Sequence, residues 1–220
     1  MLSKIILNFF IISFPQIIFG NKFLKKCSFD ANKINIISCV LSQSYFVFNA
    51  ICISILSLKE TSDKQSLIEA TLNNLYFLYA YLCYDICFLL SRSSLEFMFL
   101  VHHFVGLIFI HVIFYMKIPS DMLLKYNLFA IIMEGTNPYL NMRIILKNTR
   151  FELLNNYIIF ITYTLFRVIG YPTTYLYMVK TIEQPPYIKK LLYYKFYVIY
   201  GMSLFWYGKI LNKVKKIKKT

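Results

Sequence analysis

Leu95–Arg143 reads LEFMFLVHHFVGLIFIHVIFYMKIPSDMLLKYNLFAIIMEGTNPYLNMR. Two adjacent histidines, His102 and His103, stand near the start of one apolar run. Glu134, Pro138, Asn141 and Arg143 follow in and after the next. An ionisable side chain in a lipid-buried segment is costly, so it marks a functional position by default. The second run cannot form one clean helix, because Pro138 lacks an N–H and disfavours the helical region for Asn137. Backbone groups freed at membrane depth need protein partners or a wet cavity. Asn137 and Asn141 could supply those bonds, and the break beside Glu134 therefore reads as a pocket wall.

The rest of the chain has the same character. Of its 220 residues, 58% are hydrophobic, too many for a soluble domain. Apolar runs cover 2–19, 34–58, 71–90, 95–116, 121–146, 151–180 and 191–211, several of them near the ~20 residues that span a bilayer. This predicts an all-α fold, a polytopic membrane helical bundle of about seven transmembrane helices. The domain reading is an N-terminal membrane segment and basic loop (1–32), a transmembrane domain (33–211) and a basic tail (212–220). Residues 2–19 could be a signal-peptide core or a first span; no small-residue cleavage site follows, which favours a retained span. The net charge of +14 does not indicate nucleic acid, because the Lys and Arg lie mostly between and after the apolar runs, with no base-stacking module. Five cysteines show neither CxxC nor metal spacing, and the disulfide reading is weak.

Two further charges lie inside runs. Asp85 is near the end of the third, where it either reaches the interface or faces the histidine pair. Arg167 is near the middle of the sixth, among Leu165, Phe166, Val168 and Ile169. Unpaired, Arg167 would be expensive, so it is expected to pair with Asp85 or Glu134 or to meet a lipid phosphate. Gly170 and Pro172 loosen the same helix. Three histidines are too few for a di-iron site, and no metal site is expected. Consecutive helical residues point about 100° apart, so one histidine of the pair faces a pocket and the other a neighbouring helix. A neutral imidazole can serve as base or nucleophile. The structural alternative is that these groups only tie helices together, although polar contacts between membrane helices average well under ~1 kcal/mol.

An Asp-bearing span, an HH span and then E-x-[ST]-x-P-[FY]-x-N-x-R, here Glu134 to Arg143, resembles the TLC (TRAM/Lag1-type) domain family. The likeness is to the small TLC domain-containing branch rather than to ceramide synthase proper, and it runs from about Lys33 to the basic tail, so that the last six spans resemble the TLC core. It implies a multi-pass protein of membrane lipid homeostasis that binds or senses lipids in an intramembrane cavity walled by Glu134, Pro138, Asn141, Arg143 and Arg167. It also implies an alternative: an acyl-CoA-dependent lipid N-acyltransferase of sphingolipid type, with His102 and His103 catalytic and Asp85 their acid/base partner. No cofactor is implied beyond acyl-CoA as co-substrate. Against the alternative, the acidic stretch of ceramide synthases is replaced by Arg143-Ile-Ile-Leu-Lys147-Asn-Thr-Arg150. A relative's histidine near Gln43 is here an amide. The basic side, with Lys22, Lys25, Lys26, Lys33, Arg92, Lys147, Arg150 and the tail, is expected in the cytosol. The Lys-rich C-terminus resembles an endoplasmic-reticulum retrieval signal. In a third reading, that of a trafficking protein, the tail is the working part.

Overall fold

The computed structural model describes residues 2–18, 31–59, 63–91, 97–115, 120–181 and 186–217. Lys22, Lys25, Lys26, Cys27, Arg92, Lys117, Lys218 and Lys219 lie outside the described residues. Among the described residues the regular elements are helices: α1 (Leu2–Ile18), α2 (Ala31–Ser57), α3 (Lys64–Ser91), α4 (Phe97–Tyr115), α5 (Ser120–Glu134), α6 (Asn137–Ile145), α7 (Glu152–Tyr163), a π-helical segment (Thr164–Gly170), α8 (Tyr171–Thr181) and α9 (Pro186–Ile217). Helices stand at each of the seven apolar runs, the fifth as the pair α5 and α6.

Two stretches, Asn35–Ser57 and Glu152–Tyr177, are long and apolar enough to cross a membrane, while Leu2–Ser13 and Phe99–His111 are shorter apolar helices. Leu41, Phe48 and Ile55 form an exposed apolar stripe on α2, and Leu154, Ile161 and Leu165 form another along α7 and the π segment. Continuous apolar faces of this kind suit lipid better than water.

Two ends differ from the sequence expectation. Helix α3 begins at Lys64 because Asp63 caps it: the carboxylate accepts from the Gln65 amide at 3.0 Å and from the Ser66 amide at 3.3 Å. Its first turns are therefore a polar extension of the apolar run. Helix α9 starts at Pro186, a position where proline's missing N–H costs nothing. It continues through Lys209 and Lys213 into the tail, where Lys213 Nζ meets Glu152 Oε1 at 3.2 Å.

The chain divides into two compact units, Met1–Ile131 and Ile132–Thr220. In the first, α1 packs on α2 and α3, and α3 on α4. Their shared core holds Ile5, Ile12, Phe46, Phe77, Tyr81 and Ile110. Ala80 has no exposed surface, and a residue this small lets backbones approach. Helix α5 is tied to α3 by Asn127 Nδ2 donating to Thr71 Oγ1 at 2.7 Å.

In the second unit, α7, the π segment and α8 lie along α9. The Tyr171 ring stacks on Phe196 at 5.6 Å, and Phe196 on Tyr200 at 5.4 Å. The loosening expected at Gly170 and Pro172 takes a definite form. The Tyr171 amide bonds back to Phe166 O, five residues earlier, which is the π register. An α-helical N–H at position 172 would bond Val168 O. Proline has none, and that carbonyl instead accepts from the Tyr200 hydroxyl at 3.3 Å. Thr173 Oγ1 donates to Ile169 O and Gly170 O at 3.0 and 2.9 Å.

Candidate functional site

Among the described residues, two buried polar clusters hold the residues singled out in the sequence, one in each unit. The first is built on three helices. Asn35, Cys39 and Gln43 follow one another at four-residue spacing along a single face of α2. Tyr81, Tyr84 and Asp85 come from α3, and His102 and His103 from α4. The sequence did not show which histidine Asp85 meets. His103 does: its Nε2 lies 2.9 Å from Asp85 Oδ2. The other carboxylate oxygen accepts weakly from the Cys39 thiol at 3.6 Å. Asn35 Nδ2 donates to Cys39 Sγ at 3.6 Å, and the Tyr84 hydroxyl donates to Asn35 Oδ1. Gln43, the amide expected to replace a histidine, donates to the Tyr81 hydroxyl at 2.8 Å. The Tyr81 ring in turn meets His103 edge-on, centroids 6.5 Å apart.

This arrangement orients the His103 ring, with Nε2 toward the Asp85 carboxylate. With Nε2–H given to Asp85, a neutral imidazole carries its lone pair on Nδ1. The ring is buried, and Nδ1 has no hydrogen-bond partner among the described residues. A group placed this way can take a proton from, or accept a hydrogen bond from, a hydroxyl or amine brought to it. His102 is buried beside it, ring centroids 5.5 Å apart, and His111 is exposed further along α4. Among the described residues no three His, Cys, Asp or Glu side chains gather to hold a metal.

The second cluster forms where α5 breaks. Pro138 occupies the first turn of α6, and Gly135–Thr136 separate the two helices. Glu134 ends α5 and is 7% exposed; Arg167, in the π segment, is 3% exposed. Asn137 joins them, its Nδ2 donating to Glu134 Oε2 and its Oδ1 accepting from Arg167 Nη2 at 3.1 Å. The expected direct pairing of Arg167 with a carboxylate is thus replaced by a bridge, because one amide offers both a donor and an acceptor. Arg167 Nη1 also points at Met133 Sδ, 3.9 Å away, and Nε has no partner among the described residues. Asn137 was expected to serve freed backbone groups; its side chain serves the two charges instead. Asn141 is half-buried, and Arg143 is exposed in the last turn of α6, favourably placed against the helix dipole. The structure thus brings Asp85 together with His103, and Glu134 with Arg167 through Asn137. It leaves Arg143 outside that cluster.

No curated protein and no solved structure matches the chain. The family model of the TLC domain matches residues 31–212, which takes in both clusters, and on that match the chain belongs to the TLC domain family, whose members are helical membrane proteins.

Proposed function

We propose that this is an integral membrane protein of about seven spans that engages a membrane lipid at Asp85–His103 and thereby adjusts membrane lipid composition. One observation carries the reading: a buried imidazole held by a carboxylate at 2.9 Å, its second nitrogen without a hydrogen-bond partner among the described residues. A buried acceptor left unsatisfied costs about 1–3 kcal/mol, which a lipid hydroxyl or amine donating to Nδ1 would offset. The Glu134–Asn137–Arg167 bridge holds the break in the fifth span open as a polar wall. The charge bias supports a cytosolic tail, and the terminal lysines suit residence in the endoplasmic reticulum.

The same dyad favours a second reading, acyl-CoA-dependent N-acylation of a lipid amine. The amine nitrogen would attack the thioester carbonyl while His103 Nδ1 takes its proton and Asp85 stabilises the imidazolium. The C–S bond would then break, and the departing coenzyme A thiolate would recover that proton. The basic run from Arg143 to Arg150, in place of an acidic stretch, makes this the second reading.

The test is mass spectrometry of lipids bound to the purified protein, wild type beside His103→Ala, before and after incubation with palmitoyl-CoA and sphinganine. A lipid retained by the wild type and lost in the variant, with no N-acyl product, supports the first reading. A product that depends on His103 supports the second. Equal lipid content in both proteins, with no product, overturns both.

A further inference from the structure

The first unit holds a polar cavity distinct from the Asp85–His103 cluster. It has a volume of about 360 Å³ and lies between the first turns of α1, the C-terminal half of α2 and the N-terminal half of α3. The rise along α3 from Asn74 to Asp85 is ~16 Å, so the two polar regions sit at different depths. The cavity's end of the helices is the one that carries Lys4, Lys59 and Lys64.

Its walls have a definite chemistry. Lys4, Asn8, Asn49, Asn73 and Asn74 line it, and among the described residues no carboxylate does. Lys4 Nζ is drawn over α3, donating to Asn73 Oδ1 at 2.8 Å and lying 5.9 Å from the Tyr76 ring centroid. That contact occupies the Asn73 oxygen and leaves its NH₂ as a donor, and the ammonium keeps two further donors. Asn74 is 3% exposed; its Nδ2 donates to Phe46 O at 3.2 Å, which fixes the amide's orientation. Its Oδ1 has no hydrogen-bond partner among the described residues. The wall therefore combines a cation and amide donors with one acceptor short of a donor. Leu7, Ile53 and Phe77 supply apolar surface beside it.

We infer that this cavity binds the headgroup of an anionic glycerophospholipid that carries a free hydroxyl. The phosphate lies against Lys4 and the asparagine amides, a hydroxyl reaches Asn74, and the acyl chains remain in the bilayer. The volume is within the roughly 300–1,000 Å³ of small-molecule sites, enough for a headgroup. The inference does not rest on the Asp85–His103 reading, and a His103 variant is expected to leave this binding unchanged.

The experiment titrates the purified full chain in detergent with phosphatidylglycerol, phosphatidylcholine or free glycerol 3-phosphate, with binding read by native mass spectrometry. Phosphatidylglycerol is expected to bind at least tenfold more tightly than phosphatidylcholine. Lys4→Gln is expected to weaken it about tenfold or more, as for loss of a hydrogen bond to a charged group, and Lys4→Arg to retain most of it. Asn49→Leu, an independent change on α2, is expected to weaken it as well. Equal binding of the two lipids, or unchanged binding in both Lys4→Gln and Asn49→Leu, overturns the inference. Glycerol 3-phosphate binding as tightly as the lipid overturns the headgroup assignment in favour of a free phosphate ester.

Discussion

Replacing Asn137 with alanine removes a side chain that hydrogen-bonds both Glu134 and Arg167. Hydrogen bonds to charged groups contribute about 1.5–3 kcal/mol each in soluble proteins. Between membrane helices, polar contacts average about 0.6 kcal/mol and reach about 1.7, because separated helices find other partners. The Arg167 contact at 3.1 Å is of the second kind. The Glu134 contact is local, three residues apart, and its loss strands a carboxylate that is 7% exposed. Together these give an expected loss of about 2–5 kcal/mol for Asn137→Ala. The combined change Glu134→Gln with Arg167→Met removes both charges and leaves no ion uncompensated, so it is expected to cost less than Asn137→Ala alone. Reversible unfolding in mixed detergent micelles reads both values. A loss under about 0.5 kcal/mol for Asn137→Ala, or a larger loss for the uncharged pair, would refute the bridge as the reason these charges are tolerated.

Tyr200→Phe leaves Val168 O without its hydroxyl donor and is expected to cost about 0.5–1.5 kcal/mol; Pro172→Ala supplies an N–H to the same helix, so a double-mutant cycle should show coupling between the two, and strict additivity would refute the compensation. A Cβ at Gly170 would stand 3.0 Å from the backbone oxygen of Leu165, whereas at Gly106 it would meet the end of the Leu82 side chain at 3.2 Å. Gly170→Ala should therefore destabilise by about 1–3 kcal/mol and Gly106→Ala by less, measured in the same unfolding assay. Hydrogen bonds from Ser66 and Gln65 hold the Asp63 carboxyl below its ordinary value. Its contribution to the start of α3 is thus fully present above the unfolded value of about 3.9 and fades as pH falls through the lower folded one. Protection of the Gln65 and Ser66 amides from exchange, relative to their intrinsic rates, should fall only in that acid range in the wild type, and already at neutral pH in Asp63→Ala.

The positions of the helices were legible because the apolar runs are long and their breakers strong. Pro138 stops α5 beside Glu134, as its missing N–H requires. What could not be read was rotation about each helix axis. His102 and His103 differ by about 100°, and only packing of α4 on α3 decides that His103 meets Asp85. Asn35, Cys39 and Gln43 stand at four-residue spacing, but nothing in the sequence marked them as one working face or named their partners on α3. Asn137 stood out as a polar residue at a break, yet its bridging role depends on Arg167, thirty residues on. The π register that presents Arg167 left a trace in Gly170 and Pro172, while its support from Tyr200 lies on another helix and had no local signal.

Lipid engagement at this site requires His103 to offer its Nδ1 while Asp85 holds Nε2–H. Nitrogen NMR of the full chain labelled at histidine reads this directly, since three histidines can be assigned by single substitutions. His103 is expected to be the Nε2–H tautomer, Asp85→Asn to disturb it, and added membrane lipid extract to shift the Nδ1 resonance. A proton found on Nδ1 in the neutral ring, or an Nδ1 resonance indifferent to lipid, would contradict that engagement.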